Sequence, residues 1–110
     1  MWPVQIRTKV WLEGSGGFVC GEGGLDLLRQ IARLHSLTRA AEAVGWSYRH
    51  AWGYLRNAER QLGVPLTRTS PGKGADRGTV LSPHGRIILR QLNRASRAVS
   101  VAAARQWREG

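Results

Sequence analysis

The sequence predicts a mainly α-helical fold with small β elements, an α+β domain that takes up residues 1–110 as one unit. Three observations lead to this prediction. Apolar residues recur at helical spacing in several segments, residues 36–62 have the pattern of two crossing helices, and a glycine-rich loop lies between two short strand-like stretches. Together with an N-terminal β-strand or hairpin and a long C-terminal helix, these parts make a winged helix-turn-helix.

The N-terminal segment has the period-two alternation of a β-strand. Apolar residues alternate with polar ones over Val4–Leu12, with Arg7 and Lys9 on the polar face, so we predict a strand there. The glycine-rich turn at 14–17 leads to a short second strand at 18–20. A first helix follows, with apolar residues at helical spacing: Leu27, Leu28, Ile31 and Leu34.

Residues 36–62 predict a helix-turn-helix, the unit that lays its second helix into the major groove of DNA. The small Ala41 lets the two helices cross closely, and Gly45 tolerates the positive φ of a tight turn. Ser36 and Ser47 are placed to cap the first and the second helix. An ordinary corner between two core helices is the alternative that this pattern leaves open.

A β-hairpin wing is predicted over residues 64–81. Residues 64–70 and 78–81 have the composition of two short strands, and the segment PGKGADRG joins them. A glycine-rich loop between two strands, directly after a helix-turn-helix, is the arrangement of a winged helix.

The last helix is predicted over residues 83–107, because Ser82 and Pro83 are typical of a helix start. Its apolar residues step by four, three, four and three, as in a coiled-coil seam, and the small ones allow a partner to approach closely. We predict dimerisation through this seam; a helix folded back along its own domain is the alternative. The seam residues are Ile88, Leu92, Ala95, Val99 and Ala102.

The charge of the chain points to a polyanionic partner, most simply double-stranded DNA. The net charge is +10, and residues 47–108 carry twelve basic and two acidic residues, against five and four in residues 1–46. Fifteen of the seventeen basic residues are arginine, whose fork suits phosphate and guanine edges. A ribosome-associated or membrane-surface protein would share this charge. A stripe on the last helix is most simply a solvated face: Arg86, Arg90, Arg94 and Arg97.

The candidate DNA-binding residues surround the start of the second helix. We predict Arg49 and His50 as readers of base edges, and Ser47, Tyr48 and Arg56 as phosphate ligands. Trp52 either packs on the sugar-phosphate backbone or covers the core, and the mid-helix Gly53 indicates close approach of DNA or another helix. The candidate set is completed by residues at the start of the first helix of the helix-turn-helix and in the wing: Ser36, Thr38, Arg68, Lys73 and Arg77.

Other functions find little support in the residues. The histidines His35, His50 and His84 fall on different elements without metal-ligand spacing, so we expect no metal, no cofactor and no enzyme activity. Cys20 is the only cysteine, which excludes an internal disulfide and fits a reducing cytoplasm. We expect it to be a buried thiol, with a redox or metal sensor as the alternative. No apolar run is long enough to cross a membrane, and no signal peptide is apparent.

The pattern SLTRAAEAVGWSYRHAWGYL, followed by LGVPLTRTSPGKGADRGTVLSPHG, resembles the N-terminal domain of ModE, the molybdate-responsive transcription regulators. The start of the second helix and the wing favour ModE over the related LysR regulators, which share the pattern LTxAA and the pattern LGVPL. The resemblance covers roughly residues 4–92. It implies a winged-helix DNA-binding domain, dimerised through its terminal helices, that regulates transcription in the cytoplasm of a bacterium or archaeon, in association with the nucleoid.

The resemblance does not extend to molybdate binding. ModE regulators continue into two small β-barrel domains that bind molybdate, and nothing in residues 1–110 resembles their oxyanion-binding motif. The sequence leaves three interpretations: a stand-alone regulator, a regulator whose ligand-sensing partner is a separate chain, or a shortened chain. A non-specific nucleic-acid-binding protein of the chromatin or RNA-associated kind is the alternative to sequence-specific binding.

Overall fold

The computed structural model of the chain describes residues 3–70 and 78–109. Four helices and two antiparallel β-hairpins make up this part of the chain, which confirms the predicted fold class. In chain order the elements are β1 (Leu12–Gly14), β2 (Gly17–Cys20), α1 (Glu22–Leu34), α2 (Leu37–Val44), α3 (Tyr48–Leu62), β3 (Thr67–Thr69), β4 (Thr79–Leu81) and α4 (Pro83–Glu109).

The core is built around α1, which contacts α2, α3, α4, β2 and β4. Its apolar stripe of Leu25, Leu27, Leu28 and Ile31 is buried, because these residues share one face at helical spacing. Small residues on the helices around it allow close packing. The buried partners are Ala40, Ala41, Ala51, Leu55, Ala58, Leu66, Leu81 and Leu92.

The predicted strand over Val4–Leu12 is wrong for most of its length. The observed strand β1 begins only at Leu12, where it pairs with Cys20 of β2. Residues 4–10 make no backbone hydrogen bond to any other residue that the structure describes. A strand needs a neighbour for its backbone groups, and the alternation of side chains does not supply one.

The wing strands are shorter than predicted, for a reason that lies in the preceding helix. Strands β3 and β4 pair antiparallel, with Thr67 opposite Leu81. The backbone N–H of Leu66 donates to the Glu59 carboxylate at 2.7 Å, and Pro65 has no N–H to donate. Strand β3 therefore begins only at Thr67, although the Leu66 carbonyl still accepts from the Ser82 N–H at 2.9 Å. The predicted connection between the two strands falls largely on residues 71–77, outside the described residues.

The start of α4 confirms the predicted cap. The Ser82 hydroxyl accepts from the Gly85 N–H at 3.0 Å and donates to the Pro65 carbonyl at 2.6 Å, so it joins the helix to the base of the wing. Gly85 is required there, since a Cβ at this position would collide with the Leu66 carbonyl.

The seam predicted on α4 divides between the core and the surface. Leu92 is 2% exposed and lies in the core, and Ile88 is half-buried against it. Leu92 is therefore a core residue that a partner cannot reach. Ala95, Val99 and Ala102 remain exposed, because α4 continues beyond the elements that cover its first half.

Candidate nucleic-acid interface

The turn between α2 and α3 has the geometry that the sequence predicts. Gly45 has a φ of 79°, and the Trp46 N–H donates to the Ala41 carbonyl at 2.9 Å. The Ser36 hydroxyl accepts from the Arg39 N–H at 3.1 Å, and the Ser47 hydroxyl accepts from the His50 N–H at 3.0 Å. Both serines are thus helix caps, and their hydroxyl hydrogens remain free to donate among the described residues.

Helix α3 presents one buried and one exposed face. Ala51, Leu55 and Ala58 are buried, and their packing determines which side of the helix faces solvent. On the other side, five of the predicted DNA-binding residues share a surface that begins at the first turn. These are Tyr48, Arg49, His50 and Trp52, which are exposed, and Gly53, which is half-buried.

His50 has a neighbour that the sequence analysis did not identify. Its ring centroid lies 4.4 Å from that of Trp46, with the rings inclined at 69°. The ring centroid of Trp46 lies 5.2 Å from that of Tyr54. Trp46 also packs against Gly23, where an added Cβ would lie only 2.8 Å from a ring carbon of Trp46. The imidazole is therefore held beside a ring that is wedged between α1 and α3.

Arg56 is held on two sides. Its guanidinium lies 5.5 Å from the centre of the Trp52 ring, and its Nη1 is 3.1 Å from a Glu59 carboxylate oxygen. The other oxygen of Glu59 accepts from Leu66, so one carboxylate links α3, Arg56 and the base of the wing. Trp52 is 48% exposed, so it does not cover the core.

Gly53 has open space where a side chain would stand, although the residue itself is half-buried. A Cβ at this position would meet no described atom within 4 Å. Packing against another helix, one of the two interpretations of this glycine, is thereby excluded for the part of the chain that the structure describes.

The remaining candidates lie on two other elements. Thr38 is exposed on the first turn of α2, and Arg68 is exposed on β3 opposite Val80. The predicted wing residues Lys73 and Arg77 lie outside the described residues. The structure thus brings the α3 residues together on one surface.

Cys20 and Tyr54 form a buried polar contact behind this surface. Burial raises the pKa of the Cys20 thiol, and burial raises the pKa of Tyr54 to about 12. The Tyr54 hydroxyl accepts from the Gly21 N–H at 3.1 Å. A protonated, buried thiol is a poor nucleophile, which agrees with the structural interpretation of Cys20.

Three residues that contribute to the site were not predicted from the sequence: Trp46, Tyr54 and Glu59. For Glu59 a signal was present, since it is one of two acidic residues among twelve basic ones in residues 47–108. The described residues contain no cluster of three metal-ligating side chains, and within them no helix is long and apolar enough to cross a membrane.

Comparison with known proteins identifies the family. Residues 24–86, more than half of the chain, match the bacterial regulatory helix-turn-helix proteins of the lysR family. The chain belongs to this family. It is therefore a lysR-type helix-turn-helix DNA-binding domain of a transcription regulator. The members of this family are regulators, not enzymes.

The relatives of this lysR-type domain are longer proteins. The molybdenum-pterin-binding protein MopB of Rhodobacter capsulatus is 35% identical over 85 residues, which are 77% of this chain and 31% of MopB. This match confirms the resemblance to the ModE regulators. The chain spans about a third of that relative's length.

Solved structures agree on the fold. ArgP from Mycobacterium tuberculosis superimposes with a TM-score of 0.57 at 20% identity, over 77% of this chain and 30% of ArgP. DarR of Vibrio fischeri, a LysR-type regulator solved in complex with DNA, has a TM-score of 0.54 at 17% identity, over 71% of this chain and 25% of DarR.

Proposed function

We propose that this domain reads the sequence of double-stranded DNA with the first turn of α3, as a homodimer that regulates transcription. One observation carries the proposal. Tyr48, Arg49 and His50 are exposed side by side at the N-terminus of a helix whose opposite face is fixed by the core. A rigid helix that presents mixed donors, acceptors and an aromatic ring suits the edges of base pairs in the major groove.

Each side chain has a part in this proposal. Arg49 and His50 contact base edges, and the ring of Trp46 sets the direction of the His50 imidazole. Ser47 and Tyr48 hold phosphate through their hydroxyls. Arg56 does so through its guanidinium, whose position is fixed beforehand by Trp52 and Glu59.

The wing and α2 extend the surface along the duplex. We assign phosphate contacts to Thr38 and Ser36 at the start of α2, and phosphate or minor-groove contacts to Arg68 of the wing. Lys73 and Arg77 are assigned to the same contacts on the sequence alone. DarR, whose fold this chain shares, was solved with DNA bound, which supports DNA as the ligand of this fold. The name of MopB states molybdenum-pterin binding, and we do not propose this property for the present chain. The chain matches only 31% of MopB.

Dimerisation is supported by the second half of α4. Val99 is 43% exposed, and Val101 and Trp107 are exposed as well. Isolated helices of about 15 residues are marginal in water, so a helix that extends this far from its core calls for a partner. Ala95, Val99 and Ala102 are the residues that we place against a second copy.

The test is selection of bound duplexes from a random library at physiological salt, followed by sequencing. We expect enrichment of a palindrome whose half-sites lie about one helical turn apart, because a two-fold dimer places two α3 helices on one face of the duplex. Tight binding without any enrichment would refute base reading and leave charge-driven, non-specific binding as the function.

Arg49→Ala tests the assignment of the reader. We expect a loss of discrimination at one base position of about 1–3 kcal/mol, with the other positions unchanged. The matched control is Arg33→Ala, which removes an exposed arginine of α1 that bonds only Gln30 among the described residues. Equal weakening on all sequences by Arg49→Ala would contradict its role as a base reader.

A further inference from the structure

The seam on α4 is too small to hold two copies together alone. With Leu92 in the core and Ile88 half-buried against it, the exposed residues of the predicted seam are Ala95, Val99 and Ala102. A stable interface of ordinary size takes about 800 Å² and roughly 20–30 residues from each partner. Two alanines and one valine, even together with the exposed Val101 and Trp107 of the same helix, supply a small part of this, so a dimer calls for a further element beside α4.

The segment of residues 4–10 has the properties of such an element. Val4 is 56% exposed and Ile6 is 44% exposed, on the apolar face of a period-two pattern. The backbone groups of residues 4–10 form no hydrogen bond to the other backbone groups that the structure describes. A segment with unpaired backbone groups and one exposed apolar face is a template for pairing with another chain, while its polar face carries Arg7 and Lys9.

This segment lies beside the exposed half of α4. A cavity of about 580 Å³ separates the two, with residues 5–9 and Glu22 on one side and Ser96 and Ser100 of α4 on the other. Ser96 and Ser100 flank Val99 on the helix, so the segment and the remaining seam form neighbouring parts of one surface.

We propose that residues 4–10 and the second half of α4 form a single two-fold interface, and that a second copy of this chain occupies it. The inference rests on the proposed homodimer and adds the N-terminal segment to it. A two-fold interface uses the same patch of both copies. Two such segments related by a two-fold axis run antiparallel, the direction in which short strands pair most readily, and Val4 and Ile6 then leave water together with Val99.

Hydrogen exchange across a concentration series tests this directly. We expect the amides of residues 4–10 to be protected at high protein concentration and to lose protection on dilution, in step with dimer dissociation measured by sedimentation. A dimer whose amides at 4–10 exchange freely at every concentration would overturn the inference and leave the dimer itself intact. A chain that stays monomeric throughout would overturn both the inference and the proposed dimer, whereas base reading is judged separately by the duplex selection.

Ile6→Asp tests the side chain. We expect the dissociation constant of the dimer to rise about tenfold or more, since the variant puts a charge where an apolar side chain is buried. The matched control is Asn57→Asp, which adds the same charge at an exposed position of α3. Because Ile6 is partly exposed in the single chain, both variants should keep the fold, which circular dichroism verifies. Equal dissociation constants for the two variants would overturn the inference.

Discussion

At the scale of single residues, Gly53 shows most clearly how folding and binding make different demands. Glycine inside a helix costs about 1 kcal/mol relative to alanine. No described atom lies where a Cβ would stand, so the folded chain itself gives no reason for this cost. Gly53 is on the same side of α3 as Arg49, so we propose that it allows close approach of a DNA backbone.

Gly53→Ala should therefore separate stability from binding. We expect the free energy of unfolding to rise by about 1 kcal/mol and the affinity for DNA to fall, because the new methyl group meets the duplex. Chemical denaturation and a DNA titration measure the two effects. Gly63→Ala is the control: its φ of 75° strains alanine, so it should lower stability and leave affinity unchanged. A stabilised Gly53→Ala that binds DNA as before would contradict the explanation.

Tyr54 is a residue whose burial should be visible in the pH dependence of stability. Burial raises the pKa of its hydroxyl from the ordinary value of 10.0 to about 12 in the folded chain. The folded state thus holds the phenolic proton more tightly than the unfolded state does. The resulting stabilisation is fully present below pH 10 and is lost as the pH rises through 12.

Tyr54→Phe should flatten this part of the profile. The free energy of unfolding, measured by denaturant between about pH 8 and pH 12, should fall less steeply above pH 10 than in the unaltered chain. At neutral pH we expect a loss of roughly 1–3 kcal/mol, because the Gly21 N–H loses its acceptor. The control Tyr48→Phe removes an exposed hydroxyl that bonds no other described residue, so it should not reproduce the loss of stability at neutral pH. An identical alkaline slope in Tyr54→Phe would contradict the burial of this hydroxyl.

At the scale of elements, local interactions were the ones that the sequence could predict. The caps by Ser36, Ser47 and Ser82 each join residues that are three apart in the chain. Both partners of each bond can therefore be recognised in a short stretch of sequence. The left-handed ends at Gly45 and Gly63 are equally local. For this reason the helices α2 and α3 and the start of α4 agree with the predictions.

Interactions between distant segments decided where the predictions were wrong or incomplete. The alternation in residues 4–10 describes two faces, but the pairing that makes a strand depends on a neighbour elsewhere. Helical spacing placed Leu92 on an apolar stripe, yet only the packed fold assigns it to the core. The same holds for part of the site: residue type and spacing predicted His50 and Arg56, whereas the packing of Trp46 against Gly23 and the bond from Leu66 to Glu59 join different elements.

At the scale of the whole molecule, positive charge is spread over surfaces that differ in their relation to α3. Arg68 stands on the wing, while Arg86, Arg90, Arg94 and Arg97 lie along one stripe of α4, away from its buried Leu92. We expect the phosphates of a duplex bound at α3 to reach Arg68 on the wing and not the arginine stripe on α4. The field of the whole chain attracts DNA, but only contacted charges displace counterions.

Salt dependence of binding can separate these surfaces. We expect Arg68→Gln to weaken binding on all sequences alike and to reduce the slope of log affinity against log salt by about 0.9, the value for one phosphate contact. Arg94→Gln removes the same charge from α4 and should change the slope much less. If both variants reduced the slope equally, duplex DNA would touch α4 as well, and the arginine stripe would be a second phosphate-binding surface instead of a solvated face.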